Sequence, residues 1–232
     1  MEFTKSLIKG KLIKRYKRFF VDVKIDKKTV TAHCPNTGSM KGLLDQDNDV
    51  YLLKHDDPKR KLKYGLEIIK AQNNLVGVNT HLANKIVNHG LSNNLINELK
   101  NSDEIKAEVF FNKETRFDFL IKKNKQKIFL EVKNVTLFRN KNTAEFPDAI
   151  TSRGSKHLLA LIDAIKKGYK AYLLFLVQIE NMENFKIAND IDSEYYKNYL
   201  AAKKAGVNFI AYRCKISSKE IFIEKKLKII NE

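Results

Sequence analysis

Cysteine is nearly missing from this chain: Cys34 and Cys214 stand alone, with no Cys-x-x-Cys pair. That spacing excludes a disulfide framework and a zinc ribbon, and makes the cytosol the expected compartment. No apolar run is long enough to span a bilayer, so no membrane partner is expected. The N-terminal Met-Glu-Phe-Thr-Lys-Ser-Leu-Ile-Lys-Gly lacks the apolar segment and small-residue cleavage site of a signal peptide. Gly-rich phosphate loops, a Ser-His-Asp pattern and internal repeats are all absent. Acidic residues are also scarce: 27 Asp and Glu face 44 Lys and Arg, for a net charge of +17.

A surplus of that size points to a polyanionic partner, most simply nucleic acid. A biased genome composition, which would also enrich lysine, asparagine and isoleucine, is the plainer alternative. The excess is densest early, where residues 1–86 hold 18 Lys and Arg against 9 Asp and Glu. The same region reads as short strands. Phe19, Val21, Val23 and Ile25 alternate with Arg18, Phe20, Asp22 and Lys24. Val30, Ala32 and Cys34 continue a second strand up to Pro35-Asn-Thr-Gly38. Val50–Lys54 and Leu62–Ala71 follow, separated by a charged turn. Short antiparallel strands at this spacing predict a small barrel, OB-like in the simplest reading, with an SH3-like barrel left open.

Two stretches of that domain are candidate nucleic-acid contacts. In Lys14-Arg-Tyr-Lys-Arg-Phe-Phe20, Arg15, Lys17 and Arg18 would neutralise phosphates, and Tyr16 could stack on an unpaired base. Asn36, Thr37 and Ser39, around Gly38, offer amides and small hydroxyls that could hold a phosphate. Each also has a bland alternative, the aromatics packing the barrel and the loop being a tight turn.

The chemistry concentrates later, where Arg116–Ile121 and Lys127–Leu137 flank the polar Lys122-Lys-Asn-Lys-Gln126. A hairpin turning about Asn124–Lys125 pairs each residue with the one whose number brings the sum to 249. Asp118 then faces Glu131, and Lys133, two residues on, shares their face. Carboxylates among Phe117, Phe119, Phe129, Leu130 and Val132 must neutralise, pair or bind a cation. Lys133 could satisfy them as an internal salt bridge. The alternative is a Mg²⁺ (or Mn²⁺) site of Asp118, Glu131 and the Val132 carbonyl, with Lys133 orienting water or a phosphate oxygen. Asp-x(n)-Glu-x-Lys resembles the pattern of the restriction-endonuclease-like nuclease fold.

Around this hairpin, Thr80–His89 and Ser92–Leu99 are predicted helical and Ile105–Phe111 a strand, with Phe138–Asn142 a polar turn. An amphipathic helix carries Leu158, Ile162 and Ile165 and ends at Gly168. Ala171–Gln178 reads as a strand buried on both sides. Glu194–Ala205 is a helix and Val207–Arg213 a strand. The order is that of a mixed sheet flanked by helices, so residues 87–232 are expected to form an α/β domain. Arg153, Lys156 and His157, at the start of its second long helix, could hold phosphates. Glu98 and Asp148 are possible extra acids, and the other histidines are structural.

Pro35-Asn-Thr-Gly-Ser-Met40, Asn79-Thr80 with Leu82-Ala-Asn84, Arg116-Phe-Asp-Phe-Leu120, Glu131-Val-Lys-Asn-Val-Thr136, Phe146-Pro-Asp-Ala-Ile-Thr151, Arg153-Gly154 with Lys156-His157-Leu158, and Ala211-Tyr-Arg-Cys214 occur in that order. Together they resemble the sugar fermentation stimulation protein family over nearly the whole chain. The resemblance implies an OB-fold N-terminal domain and a C-terminal domain of the PD-(D/E)XK nuclease fold, α/β with α+β character overall. It also implies non-specific DNA binding and a regulatory role in sugar (maltose) metabolism. Asp118, Glu131 and Lys133 take the nuclease positions. Ser152 departs from the pattern, which has a Glu or another larger residue there. Three functions follow: a Mg²⁺-dependent nuclease, a non-catalytic DNA-binding regulator, and an RNA-binding or RNA-processing protein.

Overall fold

The fold begins with a strand that the sequence pattern conceals. In the computed structural model, which describes residues 1–230, β1 covers Ile8–Tyr16. Its lysines face outward while Gly10 and Leu12 point into the core. Lys17 and Arg18 take positive φ, 47° and 62°, so they turn the chain. The next strand, β2 (Phe20–Ile25), therefore starts three residues later than alternation alone predicts. β3 (Lys28–His33), β4 (Asp49–Lys54), β5 (Tyr64–Ala71) and β6 (Asn74–Gly77) complete the first sheet. Its order is β3-β2-β1-β4-β5-β6, and a parallel pairing of β3 with β5 closes five strands into an OB barrel. Val21, Val23, Leu12, Leu52 and Leu66 fill it, each worth roughly 1.5–3 kcal/mol on burial.

The helix predicted over Thr80–His89 is present but displaced three residues toward the C-terminus. A single 3-10 turn, Thr80–Leu82, leads into α1 (Ala83–Ser92). Asn93 and Asn94, the latter at φ 56°, stop it. The helix expected over Ser92–Leu99 is reduced to the 3-10 turn Asn97–Leu99, because its polar residues leave only Ile96 and Leu99 to bury.

The second domain is a six-stranded mixed sheet. β7 (Glu104–Phe110), β8 (Arg116–Lys123) and β9 (Gln126–Val135) are antiparallel neighbours. β9 then pairs in parallel with β12 (Lys170–Val177), and β12 in parallel with β14 (Asn208–Ile216). β15 (Ile221–Lys226) closes the edge antiparallel to β14. Leu173 through Val177 are all fully buried, as a central strand covered on both faces requires. The helices α2 (Ser152–Lys166) and α3 (Ser193–Lys204) pack together and cover one face, while α1 covers the other.

The predicted polar turn at Phe138–Asn142 is instead part of a hairpin, β10 (Leu137–Asn140) with β11 (Thr143–Phe146). Leu137, Phe138 and Ala144 are buried there. β11 continues in parallel with β13 (Asn184–Ile187) and β13 with the two-residue β16 (Lys228–Ile229). These strands are four residues or fewer, too short to show a period.

The barrel and the mixed sheet share one hydrophobic cluster, and backbone bonds join them. The Gly77 N–H donates to the Gln178 carbonyl at 2.9 Å and the Glu180 N–H to the Leu75 carbonyl at 3.1 Å. The Met1 amino group reaches the Ile221 carbonyl at 2.9 Å. Both cysteines are buried and free. Among the described residues, no helix is long and apolar enough to cross a membrane.

Candidate metal and nucleic-acid site

The β8–β9 hairpin has the register that the sequence predicts. Phe119 pairs with Leu130, Leu120 with Phe129, Ile121 with Ile128, and so on to Lys123 with Gln126, each pair summing to 249. Asn124 and Lys125 make the turn, both at positive φ, 50° and 63°. The ladder stops at Phe119–Leu130, so Asp118 and Glu131 are not a backbone pair. Asp118 bends its carboxylate back into the strand gap: Oδ2 accepts from the Val132 N–H at 2.7 Å and Oδ1 from Asn84 Nδ2 at 2.7 Å. The N–H and C=O of one strand residue face the same side, so the Val132 carbonyl points to the Asp118 edge.

Glu131 is 3% exposed. Lys133 Nζ donates to its Oε1 at 2.8 Å, and His157 Nδ1, from α2, binds the same oxygen. The other oxygen, Oε2, is buried with no hydrogen-bond partner among the described residues. Burial alone would raise the Glu131 carboxyl, but Lys133 and His157 more than offset it and hold the group below its usual range. Asp118 has no such cation at bonding distance. Burial, and then the Glu131 charge, push it up to about 6 against the bonds from Val132 and Asn84.

That difference has a measurable sign. Asp118 releases its proton near pH 4 when unfolded and near pH 6 when folded. The folded chain binds more protons in that window, and stability falls as pH rises through it. Asp118→Asn removes this effect. In EDTA, urea melts of the variant should gain on wild type between pH 4.5 and 7.5 by on the order of 2 kcal/mol. A pH-independent difference would refute the upward shift of the Asp118 carboxyl caused by burial and by the Glu131 charge.

A neighbouring acid escaped the sequence reading. Asn84 Nδ2 also reaches Glu108 Oε1 at 3.2 Å, and Glu108 pairs with Arg116 at 2.9 Å. Glu108 sits at φ 57°, opposite Asp118 at a break in the β7–β8 ladder. Nothing in the alternation of β7 marks it. Among the described residues, no group of three or more His, Cys, Asp or Glu side chains is arranged to hold a metal. Glu98 lies elsewhere, bonded to Tyr212 and Lys226.

The basic candidates divide into two kinds. Arg153 and Lys156 are exposed on the first turns of α2. With Arg116 and His157 they line a cleft of about 650 Å³. Lys17, Arg18 and Thr37 are also exposed. Arg15, by contrast, clamps the barrel loop, donating to the carbonyls of Arg18 (3.0 Å), Asn36 (2.7 Å) and Gly38 (3.1 Å). Tyr16 stacks on Phe20 at 5.6 Å. Buried Asn36 closes its own turn through Gly38 N at 2.8 Å. Ser39 Oγ donates to Asp148 Oδ2 at 3.1 Å. That last bond fixes the barrel loop against the segment leading into α2, so Arg15 and Arg18 share a cavity with Ile150 and Thr151.

An OB barrel locked to a mixed-sheet α/β domain, with paired carboxylates where two strands part, defines a class of two-domain α+β proteins. Comparison with known proteins gives the family. Residues 81–220 match the sugar fermentation stimulation protein RE domain, and residues 13–78 match the N-terminal OB domain of the same family. A sugar fermentation stimulation protein homolog of Pelagibacter ubique (strain HTCC1062) is 78% identical over 231 residues, covering 100% of both chains. The homolog of Maricaulis maris (strain MCS10) is 39% identical, covering 99% of this chain and 98% of the relative. The structure of Pyrococcus furiosus SfsA in complex with Ca²⁺ is similar at a TM-score of 0.88 and 25% identity, covering 100% of this chain and 98% of that one. The chain belongs to the sugar fermentation stimulation protein family.

Proposed function

We propose that this protein binds DNA through its backbone and hydrolyses phosphodiester bonds with a divalent cation, Mg²⁺ or Mn²⁺, held by Asp118 and Glu131. One observation carries the reading: Glu131 keeps its charge while burying an oxygen, Oε2, that no group among the described residues satisfies. A buried, ionised, unpartnered carboxylate oxygen costs stability unless a cation takes it. Asp118 beside it, and the Val132 carbonyl on the same edge, supply the further hard oxygens such an ion prefers. The Ca²⁺ in the Pyrococcus furiosus relative, another oxygen-seeking ion, supports the choice.

When bound, the cation supplies positive charge that acidifies water and offsets charge on the phosphate. The chain's own groups do the rest. Lys133 and His157 share Glu131 Oε1, so Lys133 can turn to a water or phosphate oxygen while His157 still holds the carboxylate. Arg153 and Lys156 bind flanking phosphates, and Arg18 extends the track to the barrel. These contacts carry no base readout, so strong sequence specificity is not expected, and RNA can follow the same path.

A regulator that binds without cutting is the second reading. The observation favouring it is that Lys133 and His157 already compensate Glu131, with no three-ligand group beside it. Incubating the protein with linear duplex and single-stranded DNA in Mg²⁺, Mn²⁺ or EDTA separates the two. Cation-dependent strand scission is the expected result. Binding without scission under either metal leaves the regulator.

A further inference from the structure

The carboxylate site leaves several motifs without a role: Pro35–Met40, Thr80, the end of β9 at Asn134 with Thr136 just beyond it, and Phe146–Asp148. The fold brings them to one place. Asn36 and Thr37 of the barrel loop, Thr80, Asn134, Thr136 and the Glu145–Asp148 segment enclose a cavity of about 280 Å³ between the two domains. This is the small end of the range for ligand sites, suited to one nucleoside rather than a folded partner.

Its wall holds an unmet acceptor. Glu145 is 1% exposed; Oε2 accepts from Arg139 Nε at 3.0 Å, and Oε1 is buried with no partner. The rest of the lining is mixed: Asp148 is a second carboxylate, which already accepts from Ser39 and Met40, the Thr80 hydroxyl already donates to the Pro35 carbonyl, and the free donors are amides. The side-chain oxygens of Asn36 and Asn134 are already taken by the Gly38 N–H and by Gln178 Nε2, which leaves their NH₂ groups for a ligand. Threonine hydroxyls and the Phe146 ring complete it. No lysine or arginine lines this cavity. Both arginines of the barrel patch lie in the adjoining cavity, which shares Thr37, Gly38, Phe146 and Asp148 with it.

The division of charge identifies the occupant. Two carboxylates line this cavity, Glu145, which is paired with Arg139, and Asp148, and no cation faces into it, so the part of a ligand that enters is uncharged and carries an N–H donor. The phosphate attached to it belongs next door, at Arg18. A heteroaromatic ring with an amino group meets both demands. Carboxylates recognise such amino groups, as on cytosine N4, and aromatic side chains accept any base face.

We propose that this cavity receives one unstacked nucleobase bearing an exocyclic amino group, from a strand whose phosphates run past Arg18 and the first turn of α2. The inference rests on the nucleic-acid reading above and deepens it: the substrate is a strand with at least one unpaired nucleotide.

The test uses fluorescence anisotropy in EDTA at low salt, with three labelled 12-mers: oligodeoxycytidine, oligodeoxythymidine and an abasic phosphodiester strand. Wild type should bind the cytidine strand about tenfold more tightly than the thymidine strand, and both more tightly than the abasic one. Thymidine is the less self-stacked strand, so unstacking alone gives the opposite order. Glu145→Gln, which keeps an acceptor for Arg139, should erase the cytidine preference while leaving affinity for the abasic strand within twofold. Thr136→Val is the second variant, expected to weaken binding of both base-bearing strands. Equal affinity of wild type for cytidine and thymidine strands, or for cytidine and abasic strands, overturns the base pocket alone. If no strand binds, the nucleic-acid reading falls with it.

Discussion

Replacing Glu131 with glutamine should abolish cation-dependent cleavage, lowering kcat by about a thousandfold or more. Glutamine has nearly the same shape, so the register of β8 and β9 is unaffected. What is lost is the charge that offsets Lys133 and His157 and the anionic oxygen that no protein group occupies. DNA affinity in EDTA should stay within about threefold or rise, because the site becomes more positive. A second readout needs no catalysis. Adding Mn²⁺ at about a hundred times its Kd stabilises a protein that binds it by roughly 2.7 kcal/mol. Wild type should show a matching rise in Tm, and Glu131→Gln should show none. Cleavage that survives the substitution, or an equal Tm rise in both proteins, would move the cation elsewhere.

Arg139→Met should be the most damaging single change outside the hydrophobic clusters. Arg139 is the ion-pair partner of the buried Glu145 carboxylate, and it also binds Asp190 on the surface. Methionine keeps the length of the side chain and removes every donor. Glu145 would then be a fully buried carboxylate with neither oxygen satisfied. Breaking a buried ion pair from one side typically costs about 3–5 kcal/mol, and because the Arg139 side chain is itself 32% exposed the low end applies. In a chain of this size that corresponds to a fall in Tm on the order of 10 °C. The double variant Arg139→Met with Glu145→Leu removes both charges and should recover most of the loss. A double variant as unstable as the single would show that the arginine acts by packing alone.

The hairpin was legible because two independent periods agreed on it. Alternation set which residues face inward, and the polar interval from Lys122 to Gln126 fixed the turn and hence the register. The central strand and the two long helices were legible for similar reasons, since Leu173–Val177 are a run and Leu158, Ile162 and Ile165 recur at helical spacing against the core. What escaped is local and short. β1 hides its inward residues between lysines, and β10 and β11 are four residues each. Contacts between distant segments were also invisible: His157 on Glu131 spans 26 residues, and Ser39 on Asp148 spans 109. Arg15 and Asn36 show the limit of reading residue types. Both have chemistry suited to phosphate, and both have much of their hydrogen bonding engaged in holding a loop. The pairing of Asp118 with Glu131 was right about proximity and wrong about geometry, because a side chain substitutes for the backbone where the strands part.

The backbone bonds from Gly77 to Gln178 and from Glu180 to Leu75, with the amino terminus anchored on Ile221, leave the barrel no hinge about which to swing. The gap between Arg18 and the Glu131 edge is therefore set once, at folding. Such a molecule is a gauge and not a jaw. On the proposed function, a strand would slide in lengthwise, and the distance along it from a phosphate at the barrel to the bond beside Glu131 would be a fixed number of nucleotides.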